Sequence, residues 1–269
     1  EFSVSAPAGW EVFANAPLAA SEPAGGGRTI HRFEQTELFS TYLTALVGGR
    51  YVFRSLEHDG LRLRLFARRS MERYLDEQAP EVFELTTQGL DFYAELFDRP
   101  YPFAKYDQVF VPEYNSGAME NVGCVTYNEL YLFRAPSPDN QRLDRGETFL
   151  HELAHMWFGN LVTMCWWDDL WLNESFATYI SYLCLTEATR FRNAWKVFNY
   201  RIKRWAYQQD QLPTTHPIAG SAADTEIAFL NFDGITYGKG ASVLKQLVKY
   251  IGRDAFRDGM RLYFRRHAW

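Results

Sequence analysis

Two histidines stand four residues apart in His151-Glu152-Leu153-Ala154-His155. On an α-helix that spacing puts both imidazoles on one face, within reach of a single ion, with Glu152 offset toward the space beside it. Imidazole pairs suit zinc, and a carboxylate next to the ion suits a general base. A third donor follows: Glu174 lies nineteen positions after His155, in the first turns of a helix expected to start near Leu172. Two neutral imidazoles and a carboxylate leave a fourth tetrahedral position for water, as a catalytic rather than a structural zinc requires. The chemistry this points to is metal-assisted amide hydrolysis, with one Zn2+ per chain and Glu152 taking the proton of the attacking water. The bland alternative is a core helix with two incidental histidines, and the third donor weighs against it. Asp168 and Asp169 are candidates to accept a hydrogen bond from the outer nitrogen of a ligand histidine. A solvated acidic pair is the competing reading.

These side chains need two helices to carry them. Asp144 and Glu147 precede the histidines, Leu150, Leu153 and Ala154 sit among them, and Gly159 stands where a helix cap and a change of direction belong. Upstream, the alternating LRLRLFAR at 61–68 and DQVFVPEY at 107–114 read as strands. Between them Ser70 is placed to cap a helix whose buried stripe is Val82, Thr86, Leu90, Tyr93 and Phe97. Residues 1–48 hold short extended runs, FSV, TIHRF and TYLTALV, broken by the PAGGGR loop at 23–28. They read as the last strands of a preceding β domain, so the boundaries expected are 1–48 and 49–269. Trp157, Trp166, Trp167 and Trp171 read as core rather than ligand surface.

Bulk properties exclude several partners. The net charge is −5 with no run of like charges, which leaves no electrostatic footprint for nucleic acid. The longest apolar stretches, such as YISYLCL at 179–185, are far short of the roughly twenty residues that span a bilayer, so no membrane contact is expected. Three cysteines, Cys124, Cys165 and Cys184, read as free thiols of a reducing compartment, and the expected location is cytoplasmic. The opening EFSVSAP looks like a strand already under way, so a longer polypeptide is expected.

GAMEN at 117–121, HELAH followed after eighteen residues by a glutamate, WLNESFAT around it, and the later ITYGKGASVL together resemble the zinc aminopeptidases of the aminopeptidase N family, the bacterial alanyl aminopeptidases above all. The resemblance implies an α+β fold: a thermolysin-like zincin domain with a mixed sheet lobe and a helical lobe, and zinc in the cleft. It implies His151, His155 and Glu174 as ligands and Glu152 as general base, which the spacing also favours. It further implies that Glu120 binds the free α-amine of a peptide. On its own Glu120 reads as a solvated strand carboxylate. Gly117, Ala118, Met119 and Asn121 would then line the subsite and pair with the substrate backbone, and Tyr237 would stabilise the tetrahedral intermediate. The partners implied are peptides with a free N-terminus, and further N- and C-terminal domains would complete the cleft. A related zinc epoxide hydrolase would share every ligand, and an inactive zincin-fold binding module would have lost some. The chain departs from the family where Ser175 gives NES for the frequent NEG, and where Cys165 takes a position that is often basic. Neither supplies a ligand.

Overall fold

A computed structural model describes residues 2–269, and the chain is α+β. It divides into two compact units, Glu1–Thr87 with Phe103–Arg142, and Gln88–Pro102 with Leu143–Trp269.

The first unit carries the strands: β1 (Ser3–Pro7), β2 (Glu11–Ala14), β3 (Leu18–Pro23), β4 (Arg28–Phe33), β5 (Leu46–Gly49), β6 (Tyr51–His58), β7 (Leu61–Arg68), β8 (Tyr106–Val111), β9 (Ala118–Met119) and β10 (Cys124–Asn128). Among the described residues three sheets form, ordered β1-β4-β3, β2-β5 and β6-β7-β8-β10-β9. The PAGGGR loop joins β3 to β4 as an antiparallel hairpin. β6 and β7 are joined through Asp59-Gly60, both at positive φ, the backbone that a two-residue hairpin of matching twist demands. β7 buries Leu63, Leu65 and Ala67 completely, and Arg64 on its other face forks onto Asp107 at 2.7 and 2.6 Å. The mixed sheet runs antiparallel at β6/β7, parallel through β8 to β10, and antiparallel again at β9. One core cluster joins Phe13 and Ala45 to Tyr51, Phe66, Val109 and Cys124.

Two local expectations need correction. Within TYLTALV, residues Thr41–Leu43 form a 3-10 turn and only the end of the run enters β5. Ser70 lies inside a 3-10 turn, Arg69–Met71, that winds directly into α1 (Glu72–Phe97), so it does not stand in front of the helix as a cap. The stripe on α1 is buried throughout, from Val82 and Thr86 to Leu90, Tyr93 and Phe97.

Helices make up the second unit: the later part of α1, α2 (Asp139–Ala154) from Leu143 onward, α3 (Leu170–Ala188), α4 (Ala194–Tyr200), α5 (Ile202–Gln209), α6 (Thr225–Leu230), α7 (Gly240–Ile251) and α8 (Arg253–His267). A single π-helical turn, Ile235–Lys239, leads into α7. α3 is apolar on nearly every face and is the central helix, with Leu170, Ala177, Ile180, Cys184 and Leu185 all buried. The Tyr93 hydroxyl donates to the Leu150 carbonyl at 2.9 Å, holding α1 against the histidine helix. Trp157 is fully buried among Tyr93, Phe97 and Tyr101, whereas Trp166 is 45% exposed, so the tryptophans do not form one core cluster. Among the described residues, no helix is long and apolar enough to cross a membrane. The three cysteines are free thiols, Cys124 and Cys184 buried and Cys165 exposed.

Candidate metal centre

Two elements of the second unit bring three donors together. α2 delivers His151 and Glu152, and His155 sits on the turn just past its last residue, its N–H still bonded to the His151 carbonyl at 3.2 Å. α3 delivers Glu174 from its fifth position. The approach of the two depends on the turn at Gly159, whose φ is +117°: a methyl group there would lie 2.4 Å from Asn173 Oδ1, the residue before Glu174. Gly159 does not cap the helix, which already ends at Ala154; it serves the turn that follows.

The donor atoms converge. His155 Nε2 is 2.9 Å from His151 Nε2, and Glu174 Oε2 is 3.1 Å from His151 Nε2 and 3.4 Å from His155 Nε2. His155 Nδ1 faces the Phe158 carbonyl at 3.0 Å, an acceptor only, so the proton of the neutral ring belongs on Nδ1 and the Nε2 lone pair points at the other two donors. Two imidazole lone pairs and a carboxylate at this separation repel one another unless a cation joins them. A tetrahedral zinc with ligands at about 2.0–2.2 Å separates its donors by roughly 3.3–3.5 Å. The observed set fits after outward movements of a few tenths of an ångström.

Electrostatics agree with a cation site. Burial alone would raise the Glu174 carboxyl, but when the rings are protonated the charge of His155 and hydrogen bonds from His151 and His155 hold it well below the usual carboxylate range. This carboxylate therefore answers to positive charge beside it, whether carried by the rings or by an ion that joins them as neutral ligands. Glu152 is buried, with an oxygen within 4.8 Å of a His155 ring nitrogen. Tyr237, in the π-helical turn, lays its ring 5.8 Å from that of His151 at 20°. Neither Asp168 nor Asp169 supports a histidine. Asp168 accepts the Ala222 N–H at 2.6 Å, and Asp169 is exposed at the start of α3. The groups facing the outer nitrogen of His151 are Thr178 Oγ1 at 3.5 Å and Glu147 Oε1 at 3.9 Å. Burial pushes the Glu147 carboxyl up, opposed by His151 and by the Ser181 hydroxyl at 3.0 Å. Sequence reasoning passed over Glu147 as a plain helix acid. The signal was its position one turn before His151, in the same i, i+4 row that links the histidines.

In the first unit, the GAMEN stretch is strand only at Ala118–Met119, the edge of the mixed sheet, antiparallel to Tyr127 and Thr126 of β10. Glu120 and Asn121 follow in a buried loop. That loop is held by side chains far away in sequence. Asn15 Nδ2 donates to the Val122 and Leu43 carbonyls at 2.9 Å each, and Asn121 Nδ2 reaches the same Leu43 carbonyl at 3.2 Å. The Thr126 hydroxyl donates to Asn121 Oδ1 at 3.0 Å. Nothing in the local sequence singled out Asn15, because its partners lie 28 and 107 residues away.

The description of the peptidase family M1 domain matches residues 81–269. The chain is 50% identical to aminopeptidase N of Streptomyces lividans, aligned over all of this chain and 31% of that protein. It is 34% identical to a leucyl aminopeptidase of Saccharolobus solfataricus over 97% of this chain and 33% of the relative. It is 35% identical to tricorn protease-interacting factor F2 of Thermoplasma volcanium, over 97% and 32%. The chain thus spans about a third of the length of the curated relatives it matches. The HELAH helix, Glu174 and the Tyr237 turn all lie inside the matched region, and the chain belongs to peptidase family M1.

Proposed function

We propose that this chain is the catalytic part of a zinc aminopeptidase, a thermolysin-like zincin domain preceded in 1–48 by the end of a β domain. The observation that carries the reading is the meeting of His151 Nε2, His155 Nε2 and Glu174 Oε2 within 3.4 Å, with Glu152 buried beside them. These three atoms would hold one zinc ion. When bound, zinc supplies Lewis acidity, making water acidic enough to lose a proton near neutrality and polarising a carbonyl.

The chain's own groups do the rest. Glu152 takes the proton of the attacking water on a carboxylate oxygen and returns it to the departing amine. The Tyr237 hydroxyl donates to the oxyanion that develops on the scissile carbonyl, a bond stronger in the transition state than in the ground state. Glu120 receives the α-ammonium, an interaction that an internal peptide bond has no group to make. The edge strand Ala118–Met119 pairs with the substrate backbone, with Gly117 and Asn121 flanking it, in the manner of strand addition to a sheet edge. Exposed apolar side chains such as Tyr250, Phe229 and Leu230 await cover from further domains of the same polypeptide.

A panel of peptides with free and acetylated N-termini, assayed with the complete native polypeptide and with its Glu152→Gln variant, tests this. Release of single residues from free peptides only, lost in the variant, is expected. Internal cleavage of the acetylated set would sink the aminopeptidase reading.

A further inference from the structure

Ser175 follows the ligand Glu174 directly, on the central helix α3. Its side chain is fully buried, and its hydroxyl donates to the Thr236 carbonyl at 2.6 Å. That carbonyl belongs to the peptide group leading into Tyr237. The N–H of the same peptide donates to the Asp233 carbonyl at 3.0 Å. Both poles of one peptide plane are therefore pinned, which fixes the direction in which Tyr237 leaves the backbone. One residue earlier the turn is held as well, since Asp233 Oδ1 accepts the Ile235 and Thr236 N–H groups at 2.9 and 3.1 Å. Asp233 Oδ2 in turn meets His216 Nε2 at 3.1 Å. A carbonyl in a π-helical turn is a natural target for an outside donor, because widening the turn disturbs the regular ladder. Gly240, which opens α7, is shaped around the same hydroxyl: a methyl group there would lie 1.9 Å from Ser175 Oγ.

We propose that Ser175 is a positioning residue whose hydroxyl ties the turn carrying Tyr237 to the helix carrying Glu174. A glycine at this place, the residue in NEG, has no donor to offer, so the serine adds a link between ligand helix and oxyanion donor. The inference rests on the reading of Tyr237 as that donor.

The test uses the complete native polypeptide and an amino-acid anilide, with kcat, KM and zinc content measured for Ser175→Ala, Ser175→Cys, Tyr237→Phe and the Ser175→Ala/Tyr237→Phe pair. Cysteine keeps the volume with a weaker donor, so it guards against a cavity artefact in the alanine variant. Both Ser175 variants are expected to lower kcat by about three- to tenfold, with KM and zinc content held. In the Tyr237→Phe background the alanine change should alter kcat by less than about twofold, because the group it positions is gone. Gly240→Ala should lower kcat by crowding the hydroxyl off the Thr236 carbonyl. Equal losses in both backgrounds, zinc lost from the Ser175 variants, or parental kcat in both of them would each overturn the inference while leaving the aminopeptidase reading intact. Parental kcat in Tyr237→Phe alone would instead remove the role of Tyr237, and this proposal with it.

Discussion

Gly238 follows Tyr237 in the π-helical turn and packs directly against α5. A methyl group added there would lie 2.6 Å from the Ile202 carbonyl oxygen, 3.0 Å from Ala206 Cβ and 3.2 Å from Ile202 Cγ2. The nearest of these is backbone, so it cannot rotate away as a flexible side chain would. Reaching an ordinary contact of 3.4 Å from 2.6 Å asks the turn or α5 to retreat by about 0.8 Å. Misplacing a reacting group by about 1 Å costs on the order of 10²-fold in rate, so Gly238→Ala should lower kcat by roughly 30- to 100-fold, or about 2–3 kcal/mol in the barrier. Overpacking should also cost about 1–3 kcal/mol of stability. Zinc content should not change, since His151, His155 and Glu174 all lie outside the turn. Steady-state kinetics on one anilide, elemental analysis and a thermal melt read out the three effects separately. A variant with kcat within about threefold of the parent would show that the turn absorbs a methyl group without moving Tyr237, and would refute the chain of reasoning from packing to rate.

Glu174→Gln should weaken zinc retention in dialysis, while Glu152→Gln should keep the metal and abolish turnover; the opposite pattern would mean that the two roles are exchanged. Glu120→Gln should cost roughly 2–5 kcal/mol in kcat/KM on free peptides, the range for truncating one partner of a desolvated ion pair, and unchanged kinetics would make Glu120 a bystander. Burial works to raise the Glu129 carboxyl, but hydrogen bonds from Arg68 and Arg134 hold it below its ordinary value. A carboxyl depressed in the folded state contributes stability above its unfolded pKa of about 4.3 and loses it as pH falls through the lower folded value. Denaturant unfolding followed from pH 6 downward should therefore show a loss of stability below about pH 4 that is reduced in Glu129→Gln, and parallel profiles would refute the assignment.

The candidate donors were legible because each stands in a local pattern. Two histidines one helical turn apart share a face wherever the helix is placed, and Glu174 falls in the first turns of the helix expected near Leu172. The strands of LRLRLFAR and DQVFVPEY and the stripe along α1 follow from periodicity in the same way. What the sequence alone determined, then, is which side chains share a face of one element, because backbone geometry over a few residues sets that. Everything that depends on one element meeting another was decided by tertiary packing. Glu174 reaches the histidines because the Gly159 turn lets Asn173 approach. Glu147, not Asp168 or Asp169, faces the outer nitrogen of His151 because α2 and α3 bury it beside Ser181. Ser175 looked like a neutral departure from a glycine until α3 was seen to carry it onto the carbonyl before Tyr237, 61 residues away. A hydroxyl's partner at that separation is fixed by how whole helices pack, and no spacing rule within a single helix encodes it.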